Sequence, residues 1–400
     1  MDVLKFLTVL LLLFFPLGEV TRFSIGNSIA FTLIDILVGV LVLNWIAFIA
    51  LKKMKARSSL LYRPVFIFVG TAILSLFINY SLFTQYELFV SSLYLLRWIL
   101  YSCVLFIIMY FNTEFKTIIK KLLLLSGGII VLIGFIQYFF YQNLRNLFYL
   151  GWDDHLYRLF SSFFDPNYAG SFYVLYFLFV LGFVFEDIRK KDRKKITLFS
   201  AIEMITGIAI VLTYSRSAMI SLLVSTSIFF VLIRKKKLLL LSFVLVVFIF
   251  VALSPFFYIE NINIFRTASG MARIESMNNA LTIIKDYPIL GVGFNTYRYV
   301  QIKYGFRKGI GALVSHADAG TDNSFLFVFA TIGVIGLIAY LNLWNIIIKK
   351  FLNLFKKTHS VESILVLCSI IAIFIDSLFV NSLFFPPLML WMWILIGIMG

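Results

Sequence analysis

The chain has 400 residues, 62% of them hydrophobic and only 14% charged, with a net charge of +16. Soluble domains are roughly half apolar and a quarter charged, so a soluble multidomain enzyme is excluded. The positive charge sits in short clusters between apolar runs, which is a membrane-orientation signal rather than a nucleic-acid footprint.

Apolar runs of about 20 residues recur along the chain and read as bilayer-crossing helices. The first, 3–17, is short, but Pro16-Leu17-Gly18-Glu19 lacks a small-residue cleavage pattern, so it is read as a helix and not as a signal peptide. Further spans are predicted at 30–51, 64–83, 88–111, 118–141, 168–185, 196–212, 218–233 and 238–254. The last ones are predicted at 324–348, 364–380 and 387–399, about twelve in all. The expected class is an all-α polytopic membrane protein. Residues 1–254 form nine spans, 255–321 form a large, partly helical extracytoplasmic loop, and 322–400 form the last three spans. Dense Lys/Arg clusters at 52–63, 189–195, 234–237 and 349–357 alternate with sparsely basic connections. By the positive-inside rule both termini face the cytoplasm and the long loop faces away from it. The clusters read as orientation signals first and as anionic-lipid sites second. Cys103 and Cys368 both fall in apolar spans, which argues against a disulfide framework or a thiolate metal site. There is no internal repeat.

Polar residues at the outward ends of spans carry the candidate chemistry. Arg158 precedes Phe163-Phe164-Asp165-Pro166-Asn167, in which Asp165 and Asn167 read as turn and cap residues. Arg158 itself is a phosphate candidate. Arg216, in Thr213-Tyr214-Ser215-Arg216-Ser217-Ala218, is held at the outer boundary by two apolar spans. It either snorkels to headgroups or grips a diphosphate with its planar fork. In the long loop a helix is predicted over 272–287, begun by Arg273 and ended by Pro288, Gly291 and Gly293. Its apolar stripe, Ile274, Met277, Leu281 and Ile284, is expected to pack on other spans rather than to bind lipid. The glycine pair without a preceding strand is weak support for a nucleotide site.

Asp322 precedes Asn323-Ser324 and the next span, with Gly333-Val334-Ile335-Gly336 deeper in that span. It reads as a helix N-cap or as a general base at the membrane edge. His316 is a second candidate for the base or for contact with an acceptor. Asp153-Asp154-His155 has metal-ligand residue types but no fourth partner, so no metal is expected. Asp35 and Asp376 lie within spans, where an ionisable group is costly; Asp35 is expected to pair with Arg97.

Taken together, these stretches resemble the O-antigen ligase and O-antigen polymerase superfamily of bacterial membrane glycosyltransferases, over nearly the whole chain. Four motifs carry the resemblance: Arg158 with Pro166-Asn167, Ser215-Arg216, the stretch from Arg273 to Gly293, and Asp322-Asn323-Ser324 with Gly333 and Gly336. The resemblance implies transfer or polymerisation of undecaprenyl-diphosphate-linked glycan at the outer face of the bacterial cytoplasmic (inner) membrane, with no cofactor. Arg216 and Arg273 would engage the diphosphate, with Arg158 as a third candidate, and Asp322 would be the base. A glycan or lipid-glycan acceptor, membrane lipids and polysaccharide-assembly proteins of the cell envelope would be the partners. The ligases have histidine where Asp322 stands, which favours a polymerase over ligase-type transfer to lipid or another acceptor. Outside this family, a transporter or flippase of lipid-linked glycan and a non-catalytic scaffold are the rival classes. The symmetry of halves expected of many transporters is absent from the sequence.

Overall fold

The structure, a computed structural model, describes residues 1–25, 29–51, 59–235, 237–240, 267–307 and 320–400. Among the described residues, helices form where the sequence places a long apolar run, and side-chain caps set several of their starts. Thr32 and Asp35 form a capping box for α2 (Leu33–Ala50), as Thr84 and Glu87 do for α4 (Gln85–Met109). Asn112 caps α5 (Thr113–Phe140), and Asp165 with Pro166 starts α6 (Pro166–Lys190). Asp192 caps α7 (Arg193–Leu212), and Ser360 caps α12 (Val361–Asp376). The remaining helices are α1 (Asp2–Phe14), α3 (Tyr62–Ile78), α8 (Arg216–Leu232), α9 (Ala268–Asp286), α10 (Tyr297–Lys303), α11 (Ser324–Thr358) and α13 (Pro386–Met399).

Among the described residues, seven helices are long and apolar enough to cross a membrane, and α3, α8 and α13 are shorter apolar helices. The chain is a multi-pass, helical membrane protein. The expected span 238–254 lies mostly outside the described residues. One departure from the all-α expectation is a small antiparallel pair, β1 (Phe23–Ile25) and β2 (Ile29–Phe31), with Ser24 opposite Ala30.

The bundle is built around α6 and α13. Helix α13 is apolar all round and buried from Pro387 to Met399, as a helix without a polar face must be. Trp391 packs edge-on against Phe172, Tyr176 and Phe179 of α6. Around this centre α13 contacts α4, α12 contacts α6 and α8, and α11 contacts α3. Peripheral helices turn large apolar side chains outward, among them Leu43, Phe66 and Met204, onto what is hydrocarbon in the membrane.

A break in α11 positions the site. Gly333 has φ +71°, a left-handed conformation that glycine adopts without penalty, and it interrupts the helix nine residues after its start. The interruption frees carbonyls and amides at membrane depth, and residues 288–293 satisfy them. The N–H groups of Val292 and Gly293 donate to the carbonyls of Ala330 and Thr331; those of Val334 and Ile335 donate to Pro288 and Ile289. From α3, the Ser75 hydroxyl donates to the carbonyls of Leu290 (2.5 Å) and Thr331 (2.9 Å), and the Asn79 amide donates to Gly291 (2.9 Å). The backbones touch only because neither glycine has a side chain: a Cβ on Gly333 would sit 2.1 Å from the Ile289 carbonyl oxygen, and one on Gly291 2.4 Å from Thr331. The segment after α9 is therefore strapped into the bundle and does not end in a free turn.

Candidate active site

The connection between α7 and α8 is a tight turn. Tyr214 takes a left-handed conformation (φ 49°), and the Thr213 hydroxyl accepts from the Ser215 N–H (3.2 Å). This puts Arg216 on the first residue of α8, at a helix N-terminus whose unsatisfied amides favour an anion. The Arg216 guanidinium donates to Ser269 Oγ (2.8 Å) on the first turn of α9. One turn further on lies Arg273, within electrostatic reach of Arg216, and three residues beyond it Ser276 Oγ accepts from the Asp322 N–H (3.2 Å). Helix α9 thus stitches the start of α8 to the start of α11.

Arg216, Arg273 and Asp322 line one cavity of ≈ 410 Å³, whose remaining wall is largely apolar, with Ile220, Met277 and Leu326 among its lining. A second cavity of ≈ 360 Å³ shares Arg273, Thr321 and Asp322 with the first. Its wall is polar and aromatic and includes Trp152, Asp165, Tyr168, Asn295 and Phe385. Asp322 thus stands at the junction of an apolar, cation-bearing cavity and a polar one.

Asp322 does not cap α11. Asn323 does, accepting from the N–H groups of Phe325 (2.9 Å) and Leu326 (3.0 Å). Of the two roles left open by the sequence, capping therefore falls to its neighbour. Among the described residues the Asp322 carboxylate has no hydrogen-bond partner. Burial pushes its pKa up, Arg273 pulls it back, and Asp165 and Asp153 push it up further. A carboxyl raised in this way is a stronger base than an exposed aspartate.

Arg158 lies elsewhere. It is 7% exposed, and its Nε donates to the Thr213 carbonyl (2.9 Å) while Nη2 donates to Asn167 Oδ1 (3.4 Å). It lines neither cavity. Its guanidinium is used to tie the segment before α6 to the turn before Arg216, so it supports the site and is not placed as a diphosphate ligand. Asp165 is the cap of α6, accepting from Asn167 (2.6 Å) and Tyr168 (3.2 Å); Asn167 is not a cap and lies inside the helix. His316 lies outside the described residues.

Of the apolar stripe expected to pack, only Ile284 does. Ile274 and Met277 are 56% and 42% exposed, and Leu281 is exposed as well. Helix α9 buries Ala280 and Ile283 together with Ile284, a face roughly a quarter-turn round from the stripe, against Val292, Tyr297 and Phe327. The packing surface was set by the strapped segment and α11, which periodicity within α9 cannot reveal. The helix also starts at Ala268, so Arg273 lies in its second turn and not at its beginning.

The expected Asp35–Arg97 pair is present, with Arg97 Nε 2.9 Å from Asp35 Oδ1, and Tyr101 also donates to that oxygen (2.9 Å). Together with the pair Arg22–Glu19 (3.0 Å) it lines the second cavity. Asp376 is buried, and its Oδ2 accepts from the Ser171 and Ser382 hydroxyls, joining the end of α12 to α6 and to the turn before α13. His155 turns to Asp165, at 3.9 Å, instead of joining Asp153 and Asp154. Among the described residues no group of three His, Cys, Asp or Glu side chains is arranged to hold a metal.

Several site-building residues carry no motif. Ser75 and Asn79 are isolated polar residues one turn apart in an apolar span, a signal that was available. Glu19, Trp152 and Asn295 come together only in the fold. No curated protein matches the chain. Residues 201–341, which contain Arg216, Arg273, Asp322, the strapped segment and its Gly333 partner, match the family model described as O-antigen ligase, and this match supports the O-antigen ligase and polymerase superfamily as the one to which the chain is related.

Proposed function

We propose that the protein is a membrane glycosyltransferase that polymerises polyprenyl-diphosphate-linked glycan at the outer face of the cytoplasmic membrane, with undecaprenyl as the carrier. The observation that carries this reading is the convergence of Arg216, Arg273 and Asp322 on one cavity with an apolar wall. An acceptor hydroxyl attacks the anomeric carbon; its oxygen forms the new glycosidic bond, and the bond from that carbon to the diphosphate oxygen breaks. Charge develops on the departing diphosphate, where the two guanidinium groups and the N-terminus of α8 stabilise it. Asp322 takes the hydroxyl proton and later yields it to water. The apolar wall beside the arginines suits the first isoprene units of the carrier.

Aspartate in place of the ligases' histidine favours polymerisation; transfer to a lipid or another acceptor is the second reading, on the strength of the ligase match. The test is incubation of the purified protein with synthetic polyprenyl-diphosphate-linked repeats. Longer products and free polyprenyl diphosphate are expected, and both are expected to vanish in Arg216→Ala and Arg273→Ala. Full-length polymer from both variants would overturn the assignment.

A further inference from the structure

A third cavity, of ≈ 340 Å³, shares no lining residue with the two at Asp322. It lies at the far end of α9, about 20 Å along that helix from Arg273. Phe83 lines it from the turn after α3, Asp286 and Tyr287 from the end of α9, and Val300, Lys303 and Tyr304 from α10 and the residue that follows it.

Lys303 and Asp286 put opposite charges on this one cavity, yet among the described residues they do not pair with each other. The Lys303 ammonium lies over the Phe83 ring, 4.6 Å from its centroid. The Asp286 carboxylate accepts from the Tyr304 hydroxyl (2.5 Å), and one phenol does not saturate its two oxygens. Both groups therefore keep hydrogen-bonding capacity for a ligand. Opposite charges held apart on one cavity select the reverse dipole: an anion for Lys303 and a primary amine for Asp286. The setting selects a lipid. Tyr80 and Tyr86, on either side of Phe83 in the chain, are exposed, as are Ile289 and Ile302, close in the chain to Tyr287 and Lys303. The helices that flank the Phe83 turn, α3 and α4, are apolar. Exposed tyrosines at the ends of apolar helices gather at a membrane–water interface.

We propose that this cavity seats the headgroup of an aminophospholipid, with its phosphate against Lys303, its primary amine against Asp286 and its acyl chains in the surrounding bilayer. A choline head carries the same phosphate but has no N–H to donate to Asp286. Because the lining joins α9 to α10 and to the turn after α3, a bound lipid braces the helix that carries Arg273. The inference does not depend on the glycosyl-transfer reading. The test is native mass spectrometry of the full-length protein in detergent, titrated with dioleoyl phosphatidylethanolamine and dioleoyl phosphatidylcholine. Phosphatidylethanolamine is expected to bind about tenfold more tightly. Asp286→Asn is expected to shrink that preference to within about twofold, and Lys303→Gln to weaken both lipids about tenfold. Lys285→Gln removes the same charge from a position that does not line the cavity, and is expected to change neither affinity. Lys285, Asp286 and Lys303 are all exposed, so the variants are expected to fold, and thermal melts without added lipid check this. Equal affinity of the native protein for the two lipids, an unchanged preference in Asp286→Asn, or equal affinities in Lys285→Gln and Lys303→Gln overturns the site. Binding of soluble glycerophosphoethanolamine as tightly as the lipid would take the membrane out of the recognition and overturn the lipid assignment.

Discussion

At the scale of single residues, the site is a division of labour between neighbours. Asn323 caps α11, which leaves Asp322 to face the cavities. Asp322→Asn is expected to cut turnover by about 10²–10⁴. In the native protein the rate is expected to fall on the acid side, as pH drops through a carboxyl pKa that lies above the ordinary aspartate value. The same shift makes a stability prediction. The folded state holds this proton more tightly than the unfolded chain does, so the ionised carboxylate costs stability at every pH above both values and costs nothing below them. Asp322→Asn should therefore raise Tm at pH 7.5, with the gain gone near pH 3; a Tm loss at pH 7.5 would contradict the unpartnered geometry. Arginines divide similarly. Arg158→Ala removes buried donors to Thr213 and Asn167 and is expected to cost about 1–3 kcal/mol of stability, with the KM for donor unchanged in the protein that folds. Arg216→Ala should do the reverse, abolishing turnover with little change in Tm. Parallel thermal melts and donor titrations of the two variants separate them.

At the scale of elements, α9 is placed by the strap at its C-terminal end. Residues 288–293 bind the gap in α11 at Gly333, and α3 locks both through Ser75 and Asn79. Gly333→Ala forces a Cβ into the Ile289 carbonyl and strains a left-handed residue, a cost of at least about 1–3 kcal/mol. It should lower Tm and turnover together, because the strap positions α9, which carries Arg273, and Asp322 directly precedes α11. Gly39, which has open space around its Cβ position, is the control: Gly39→Ala should leave both unchanged. The sequence marked Gly291 and Gly293 as the end of the helix before them and Gly333 and Gly336 as glycines within a span, but not what they touch. Gly333 meets Ile289 and not another span, a contact that no local pattern encodes.

At the scale of the whole molecule, the ends of the helices sort the charges. The starts of α6, α8 and α11 and the ends of α7 and α12 lie together. They are linked by bonds such as Leu159 N–H to Leu212 O (2.9 Å) and Ser324 N–H to Ser377 O (2.9 Å). At the other ends of the helices, Lys120 at the start of α5 pairs with Glu362 at the start of α12. The positive-inside rule puts the lysine-rich end in the cytoplasm. A cysteine replacing Glu275 of α9 should react with a membrane-impermeant thiol reagent in intact cells, and one replacing Lys194 only after permeabilisation. The native Cys103 and Cys368 sit inside spans and should stay silent. The opposite labelling pattern would invert the topology and remove the site from the outer face.

The amino-acid sequence alone determined the all-helical membrane class and many of its apolar helices, because transfer of apolar side chains into hydrocarbon is a local, additive effect. It also singled out Arg216, Arg273 and Asp322, because charges beside apolar spans stand out one at a time. Only the tertiary structure decided which of the candidates share a cavity, that Arg158 is a brace, and that α9 leaves Ile274 and Met277 exposed while burying Ala280 and Ile283. Those outcomes depend on contacts between residues far apart in the chain, such as Ser75 with Leu290, whose geometry is set by the packing of the whole bundle.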